Sequence, residues 1–315
     1  MTSTANLELR QQLVATAKAM VPAIRGRVDE AAALGRLPDA TVAGMQDAGF
    51  FKIMQPARYG GLEMKPHDFF DVQITLAEGC MSTAWVLGVV AIHNWQLGLF
   101  DDRAQQDVWG EDDSVLISSS YMPVGKVTPV EGGYKLSGHW GFSSGSKHCD
   151  WAFLGAMVPP VEEGGTPDYR TFLVPRSDYE ILDNWNVSGL EGTGSHDIVV
   201  KEAFVPEYRT HRMMHGFECQ NPGNAVNDAS VFHLPFGQVF APDGTYKSPS
   251  ELRAAFGTAG IDWQRPVVTT CGSGVTASVL LFAMHLAGKE DTALYDGSWS
   301  EWAADPDAPK AQGPK

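Results

Sequence analysis

The spacing of apolar residues changes near Ser114, so one chain must build two kinds of secondary structure in succession. Before that point, apolar side chains recur every three or four residues, as in LRQQLVATAKAMVPAIRGRVDEAAAL, and predict helices over residues 7–110. After it, β-rich segments such as SVLISSSY and DWAFLGAMV alternate with Gly or Pro turns, which predicts strands. The turn signal EGGY at residues 131–134 predicts a hairpin, and hence an antiparallel β-domain.

A third pattern begins near residue 241. Ser248 and Pro249 predict the start of a helix, and a strand (266–270), a helix (about 275–288) and a strand within DTALYDGS follow. That order is typical of the βαβ unit of a parallel sheet. The sequence therefore predicts a multi-part α+β chain: an all-α helical domain (1–112), an antiparallel β-domain (113–210), an irregular junction (211–240) and a partial α/β unit (241–315).

Composition limits the partners that the chain can have. A net charge of −15 argues against a nucleic acid or an anionic membrane as the main partner, because phosphate groups bind a basic face. The N-terminus carries no apolar signal segment and the apolar runs are too short or too interrupted to span a bilayer, so a cytoplasmic protein is expected. Neither a disulfide framework nor a metal site is predicted from the four scattered cysteines, Cys80, Cys149, Cys219 and Cys271.

Segments of residues 1–240 stand in the order found in one known family, among them GFFKIMQPARYGGLEM, GGYKLSGHWGFSSGSKHCDW and GLEGTGSHDIVVKEAFVPE. Through them the chain resembles the oxygenase component of two-component flavin-dependent phenol hydroxylases, above all the secosteroid monooxygenases, which have the acyl-CoA dehydrogenase fold. The resemblance implies reduced FMN or FAD from a separate flavin reductase, and ortho-hydroxylation of a phenolic or steroid-derived ring with O2. In that family a long C-terminal helical bundle follows the β-domain. Nothing after Phe240 is similar to the bundle, which leaves homo-oligomerisation open.

The resemblance also implies which residues bind the flavin. The strand WGFSSG would pass beside the flavin ring, with Ser143 and Ser144 near ring nitrogen N5 and Ser144 also in a catalytic role. The strand ISSSY would bring Ser118, Ser119 and Tyr121 against the same ring. From the residues alone, a serine pair in a strand most often faces solvent, and that alternative stays open.

The substrate side is assigned by the same resemblance to a buried helix. His93, Asn94 and Trp95 lie in its apolar segment and would contact the phenolic or steroid-derived substrate. A histidine within an apolar helix is more often a core residue with one satisfied hydrogen bond, so both interpretations are kept.

The loop CGSGVT suggests a second chemistry. A strand would deliver Cys271 to the edge of a sheet, Gly272 and Gly274 permit a tight loop, and the following helix would direct its positive end toward the sulfur, which stabilises a thiolate. Ser273 and Thr276 could add hydrogen bonds to a bound sulfur group. The competing interpretation of Cys271 is a buried structural cysteine.

Residues 241–310, through CGSGVT and LYDGSWSEW, resemble the C-terminal half of a rhodanese-fold domain, most of all in 3-mercaptopyruvate sulfurtransferases. The resemblance implies that Cys271 is the nucleophile and carries a persulfide taken from a donor such as 3-mercaptopyruvate, with Gly272, Gly274 and Val275 at the donor. The first half of such a domain has no counterpart upstream.

Three functions are therefore open. The first is a flavin-dependent monooxygenase fused to the catalytic half of a mercaptopyruvate-type sulfurtransferase. The alternatives are a sulfurtransferase acting through a Cys271 persulfide and a truncated, chimeric protein without catalytic activity.

Overall fold

The computed structural model of the chain contains two compact units. Of the described residues, those up to His215 and those from 220 to 227 belong to the first unit, and those at 216–217 and from 239 onward belong to the second. The structure describes residues 3–160, 164–217, 220–227, 239–241, 245–259, 261–269 and 275–294.

The first unit begins with helices, as the apolar spacing predicts. None of the helices within the described ranges is long and apolar enough to cross a membrane. Helices occur where the sequence has three- and four-residue periodicity and end near glycines such as Gly26 and Gly49. They are α1 (Ser3–Arg25), α2 (Val28–Leu34), α3 (Asp39–Asp47), α4 (Pro66–Ala77), α5 (Met81–Leu97) and α6 (Asp102–Trp109).

Helix α5 forms the centre of this helical region. Val86, Leu87 and Val90 on it are each no more than 1% exposed, and the helix packs against α4 and against the start of the sheet. Burial of such aliphatic side chains stabilises the fold by about 2 kcal/mol each. Because α5 is fixed by this packing, the positions of its other residues, including Trp85 and His93, are fixed as well.

The strands form one seven-stranded sheet in the part of the first unit that the structure describes. The predicted hairpin is present: Val130 stands opposite Gly133, and Gly132 in the turn between them has φ 78°, a conformation that favours glycine. The strand order is β5-β6-β2-β1-β3-β4-β7, with β1 (Ile117–Val130), β2 (Gly133–Ser143), β3 (Trp151–Val158), β4 (Asp168–Pro175), β5 (Glu180–Leu182), β6 (His196–Pro206) and β7 (Thr210–Arg212). A short helix, α7 (Met213–Phe217), follows β7.

The expected purely antiparallel arrangement is wrong at one pair. β1 and β3 run parallel, with Ile117 opposite Trp151, whereas the other neighbouring strands are antiparallel. The reason is the path of the chain. β2 returns antiparallel to β1 and ends near the level where β1 begins. A short 3-10 turn at Ser146–His148 then leads to the other edge of β1. Turn signals in the sequence report hairpins but not such a crossing.

The second unit contains the predicted strand–helix–strand. Helix α8 (Pro249–Thr258) begins with Ser248 as its N-cap, in a reciprocal capping arrangement with Glu251. Strand β8 (Val267–Thr269), helix α9 (Val275–Leu286) and strand β9 (Thr292–Leu294) follow, and the two strands pair in parallel. The βαβ topology is thus present. Its assignment to the rhodanese fold stays a prediction.

Candidate active site

The pairing of β2 with β6 ends where the predicted flavin-facing serines lie. Ser143 stands opposite His196 in the last register position. Beyond it, the backbone N–H of Gly145 donates to the carbonyl oxygen of Thr193 over 2.9 Å. Gly145 and Gly194 both have positive φ, 71° and 54°, so each chain turns away directly after the contact.

A chain of hydroxyl groups occupies this end of the ladder. The Ser144 Oγ lies 2.7 Å from the Ser195 Oγ, which lies 2.8 Å from the Thr193 Oγ1. The indole Nε1–H of Trp85, on α5, donates to the Ser144 Oγ over 3.1 Å. Ser144, Ser195 and Thr193 are only 8%, 5% and 1% exposed. Ser143 is 0% exposed, so neither Ser143 nor Ser144 faces solvent. The alternative that this serine pair lies on a solvent-facing strand surface is therefore wrong.

Ser143 differs from its neighbour. The residue is fully buried, and its Oγ has no hydrogen-bond partner among the described residues. Burying a hydroxyl without a partner costs about 1–3 kcal/mol, so such a group needs an explanation. A bound polar ligand that contacts this hydroxyl would remove the cost.

The strand ISSSY divides its side chains between two faces of the sheet. Ser118 is buried, and its Oγ lies 3.5 Å from the carbonyl oxygen of Trp151. Ser119 and Tyr121 share the opposite face, because side chains alternate along a strand. The Tyr121 hydroxyl donates to the Gln96 side chain on α5. Of the three predicted residues, Ser119 and Tyr121 share the face that meets α5.

His93 has the environment of a core histidine. It is 1% exposed, and its Nδ1 lies 2.6 Å from the carbonyl oxygen of Ile117. A carbonyl only accepts, so Nδ1 carries the hydrogen and Nε2 keeps the lone pair. Burial lowers the pKa of His93 to about 4, which keeps the ring neutral at neutral pH. The ring meets Tyr121 edge-on at a centroid distance of 6.0 Å.

The other two predicted substrate residues point elsewhere. The Asn94 amide donates to the carbonyl oxygen of Phe51 over 3.0 Å and to the Gln55 side chain over 2.8 Å. Trp95 is half-buried and packs beside Leu99. Of the three, His93 lies next to a predicted flavin residue, Tyr121.

An apolar surface borders the hydroxyl chain. Phe142 has φ 62°, which is strained for a bulky side chain, and is 70% exposed. Its ring meets that of Trp185 at 6.2 Å and nearly at right angles. Trp85 is 41% exposed at the same end of the ladder. Backbone strain of this kind tends to be retained at functional sites.

The predicted sulfur site lies mostly outside the residues that the structure describes. Cys271, Gly272, Ser273 and Gly274 lie outside the described residues. Val275 and Thr276 begin helix α9, and only their backbone is described.

Sequence reasoning missed the residues that support Ser144. In the sequence, Trp85 is one of many apolar residues of a predicted core helix. Thr193 and Ser195 belong to the segment GTGS, whose composition is typical of a turn. The signal was the position of this segment. GTGS directly precedes β6, and FSSG directly ends β2, so an antiparallel pairing brings the two together.

Comparison with known proteins agrees with this architecture. The model of the acyl-CoA dehydrogenase N-terminal domain matches residues 4–111. The oxygenase subunit HsaA, a flavin-dependent monooxygenase of Mycobacterium tuberculosis (strain ATCC 25618 / H37Rv), is 45% identical over 231 residues, which are 73% of this chain and 58% of the relative. A crystal structure of the HsaA monooxygenase from M. tuberculosis superposes with a TM-score of 0.70 at 34% identity, covering 89% of this chain and 82% of that one.

The chain belongs to the flavin-dependent monooxygenases with the acyl-CoA dehydrogenase fold. A further relative in this family is the oxygenase component of the FADH2-dependent resorcinol hydroxylase of Rhizobium sp. (strain MTP-10005). It is 36% identical over 214 residues, which are 68% of this chain and 49% of the relative. The chain thus spans about half to six tenths of the length of these curated monooxygenases.

The buried neutral His93 makes a prediction about acid stability. Its pKa is about 4 in the fold against 6.5 in the unfolded chain, so the unfolded chain binds the extra proton between these values. The contribution of His93 to the free energy of unfolding is complete above pH 6.5 and is lost as the pH falls toward 4, by about 3 kcal/mol.

Urea unfolding of the first unit at pH 7 and at pH 4.5 measures this loss in the wild-type chain and in His93→Gln, which keeps a donor for Ile117 but does not titrate. The wild-type chain should lose more stability than the variant between the two pH values. Equal losses would contradict a neutral, proton-excluding site for His93.

Proposed function

We propose that the chain acts as the oxygenase component of a two-component monooxygenase, binding reduced flavin where β2 and β6 end against α5. The observation that carries the proposal is the fully buried Ser143 hydroxyl without a partner among the described residues, next to the hydroxyl chain at Ser144. A buried polar group of this kind is normally paired with a ligand, an ion or an ordered water molecule. The match to HsaA over residues that include both serines supports a flavin as that ligand.

Bound reduced flavin would supply the electrons with which O2 is activated. The residues of this chain would do the rest. Ser143 and Ser144 would hydrogen-bond the ring edge and fix its orientation. Ser119 and Tyr121 would lie along the ring from the neighbouring strand. The apolar side chains of α5 would keep water from the reacting face, which protects a reactive oxygen species from loss to solvent.

The cofactor is proposed to be reduced FAD, supplied by a separate flavin reductase. Support comes from the name of the resorcinol hydroxylase relative, which is FADH2-dependent, and from a solved complex of the Streptomyces protein XiaF with FADH2, which superposes with a TM-score of 0.65 at 25% identity. The substrate is proposed to be a phenolic or steroid-derived ring, as the family resemblance implies, and the resorcinol in the name of one relative is itself a phenol.

The substrate side is proposed to lie near His93, Asn94 and Trp95. His93 has the best support, because its ring is neutral and meets Tyr121. Its Nε2 could accept a hydrogen bond from a phenol hydroxyl, which would orient the substrate ring.

Anaerobic titration with reduced FAD, followed by addition of O2 and resorcinol, tests the proposal. We expect saturable binding and a hydroxylated product. Ser143→Ala should weaken binding by about tenfold, because it removes a ligand contact, yet leave the free energy of unfolding unchanged or higher, because it also removes an unpaired buried hydroxyl.

The matched control is Ser177→Ala, an exposed serine whose hydroxyl contacts only Asp178 among the described residues. It should change neither binding nor stability. Failure of the wild-type chain to bind reduced flavin would reject the proposed oxygenase function.

A second candidate function rests on the topology of the second unit. Strand β8 ends at Thr269 and helix α9 begins at Val275, so Cys271 belongs to the link between the carboxyl end of a parallel strand and a helix N-terminus. Ligands of parallel sheets bind at that edge. We propose that the Cys271 thiolate attacks the sulfur of 3-mercaptopyruvate, so that a persulfide forms as the C–S bond breaks and the enolate of pyruvate leaves and takes up a proton. Cyanide then attacks the outer sulfur, which releases thiocyanate and restores the thiolate.

Thiocyanate formation from 3-mercaptopyruvate and cyanide measures this activity. Wild-type chain should form thiocyanate and Cys271→Ser should not, since serine cannot carry a persulfide. Cys80→Ser, at a half-buried cysteine before α5, is the control and should keep the activity. Equal rates in wild type and Cys271→Ser would exclude the sulfurtransferase.

A further inference from the structure

The hydroxyl chain beside α5 has a direction that follows from counting hydrogens. An indole N–H can only donate, so Trp85 occupies one lone pair of the Ser144 Oγ. The remaining hydrogens belong to Ser144, Ser195 and Thr193, and they can run along the chain in two ways. Either each hydroxyl donates toward Ser144, or each donates toward Thr193.

Burial decides between the two directions. If the hydrogens ran toward Thr193, the Thr193 O–H would have no acceptor, because the Ser195 Oγ is the only hydrogen-bond partner of the Thr193 Oγ1 among the described residues. Thr193 is 1% exposed, and an unpaired donor buried to that extent is unfavourable. In the opposite direction, Thr193 donates to Ser195 and Ser195 donates to Ser144. The one hydrogen without an acceptor among the described residues is then that of Ser144, which is more exposed than Thr193.

The favoured direction fills both lone pairs of the Ser144 Oγ. One accepts from Trp85 and the other from Ser195, which leaves the Ser144 hydrogen as the one hydrogen of the chain without an acceptor among the described residues. Toward a ligand, Ser144 can therefore only donate. Ser144 is also the most exposed of the three hydroxyl residues, at 8%.

We propose that Trp85, Ser195 and Thr193 are positioning residues that make Ser144 a fixed hydrogen-bond donor to an acceptor atom of bound flavin. This inference rests on the proposed flavin site and deepens it. The flavin ring offers carbonyl oxygens and ring-nitrogen lone pairs that accept such a bond. A serine with a free rotor would spend part of its time donating elsewhere, so fixing it raises affinity without adding a contact.

A double-mutant cycle on flavin affinity tests this role. Ser195→Ala is measured in the wild-type chain and in a chain carrying Ser144→Ala, with reduced FAD under anaerobic conditions and oxidised FAD in parallel. In the wild-type background, Ser195→Ala should weaken binding by about fivefold, the usual worth of one neutral hydrogen bond. In the Ser144→Ala background it should have no further effect, because Ser195 acts through Ser144.

Trp85→Phe provides a second variant at a position that is 41% exposed, where loss of the indole donor is compatible with folding. It should show the same dependence on Ser144. Thr75→Val is the control: it removes a buried hydroxyl whose bond, to the carbonyl of Asp71, stays within helix α4. It should leave flavin affinity within about twofold of wild type.

The outcomes separate the two proposals. Losses for Ser195→Ala that are equal in both backgrounds, with normal binding by wild type, would overturn the positioning role and leave the flavin site standing. Absence of flavin binding by wild type would overturn both.

Discussion

The pairing of β2 with β6 is the interaction on which the candidate site depends. It fixes Ser143 opposite His196, and its last hydrogen bond, from Gly145 to Thr193, brings two loops that are distant in sequence to one place. Gly145 is constrained twice. Its φ of 71° favours glycine, and a Cβ there would lie 3.0 Å from the Val86 side chain on α5. The absence of a side chain at Gly145 therefore allows the end of the sheet to approach helix α5 closely.

Burying hydroxyl groups at the end of the β2–β6 pairing costs more free energy than burying apolar side chains there would. Ser144, Ser195 and Thr193 offset that cost among themselves and with Trp85, whereas Ser143 does not. Fold stability alone would favour alanine at Ser143. The positive φ of Phe142, directly before the two serines, is a second feature that is unfavourable for stability. Two unfavourable local features next to each other are better explained by a ligand than by the fold.

Much of the fold could be predicted from spacing alone. The helices before Ser114, the hairpin at Gly132 and the βαβ order of the second unit all follow from apolar periodicity and turn residues. The parallel pairing of β1 with β3 could not be predicted, because it depends on where the chain crosses after β2 and not on any local preference. Local rules describe which elements form, and tertiary contacts decide their neighbours.

The candidate site was predictable only in part. Family resemblance pointed to Ser143 and Ser144, and the statistics of strands pointed to solvent, which the burial of both residues overrules. Trp85, Thr193 and Ser195 carry no motif of their own, since their role arises only when β2, β6 and α5 meet. His93 and Asn94 are adjacent in sequence but bond to different parts of the fold, which a helix makes unavoidable because neighbouring side chains point about 100° apart.

Hydrogen exchange with and without reduced FAD tests the central claim most directly, because it locates binding on the chain without requiring turnover. Backbone amides of residues 141–145 and 192–196 should exchange more slowly when reduced FAD is present, because the ligand would cover the end of the β2–β6 ladder. Unchanged exchange in both segments under saturating flavin would contradict the account.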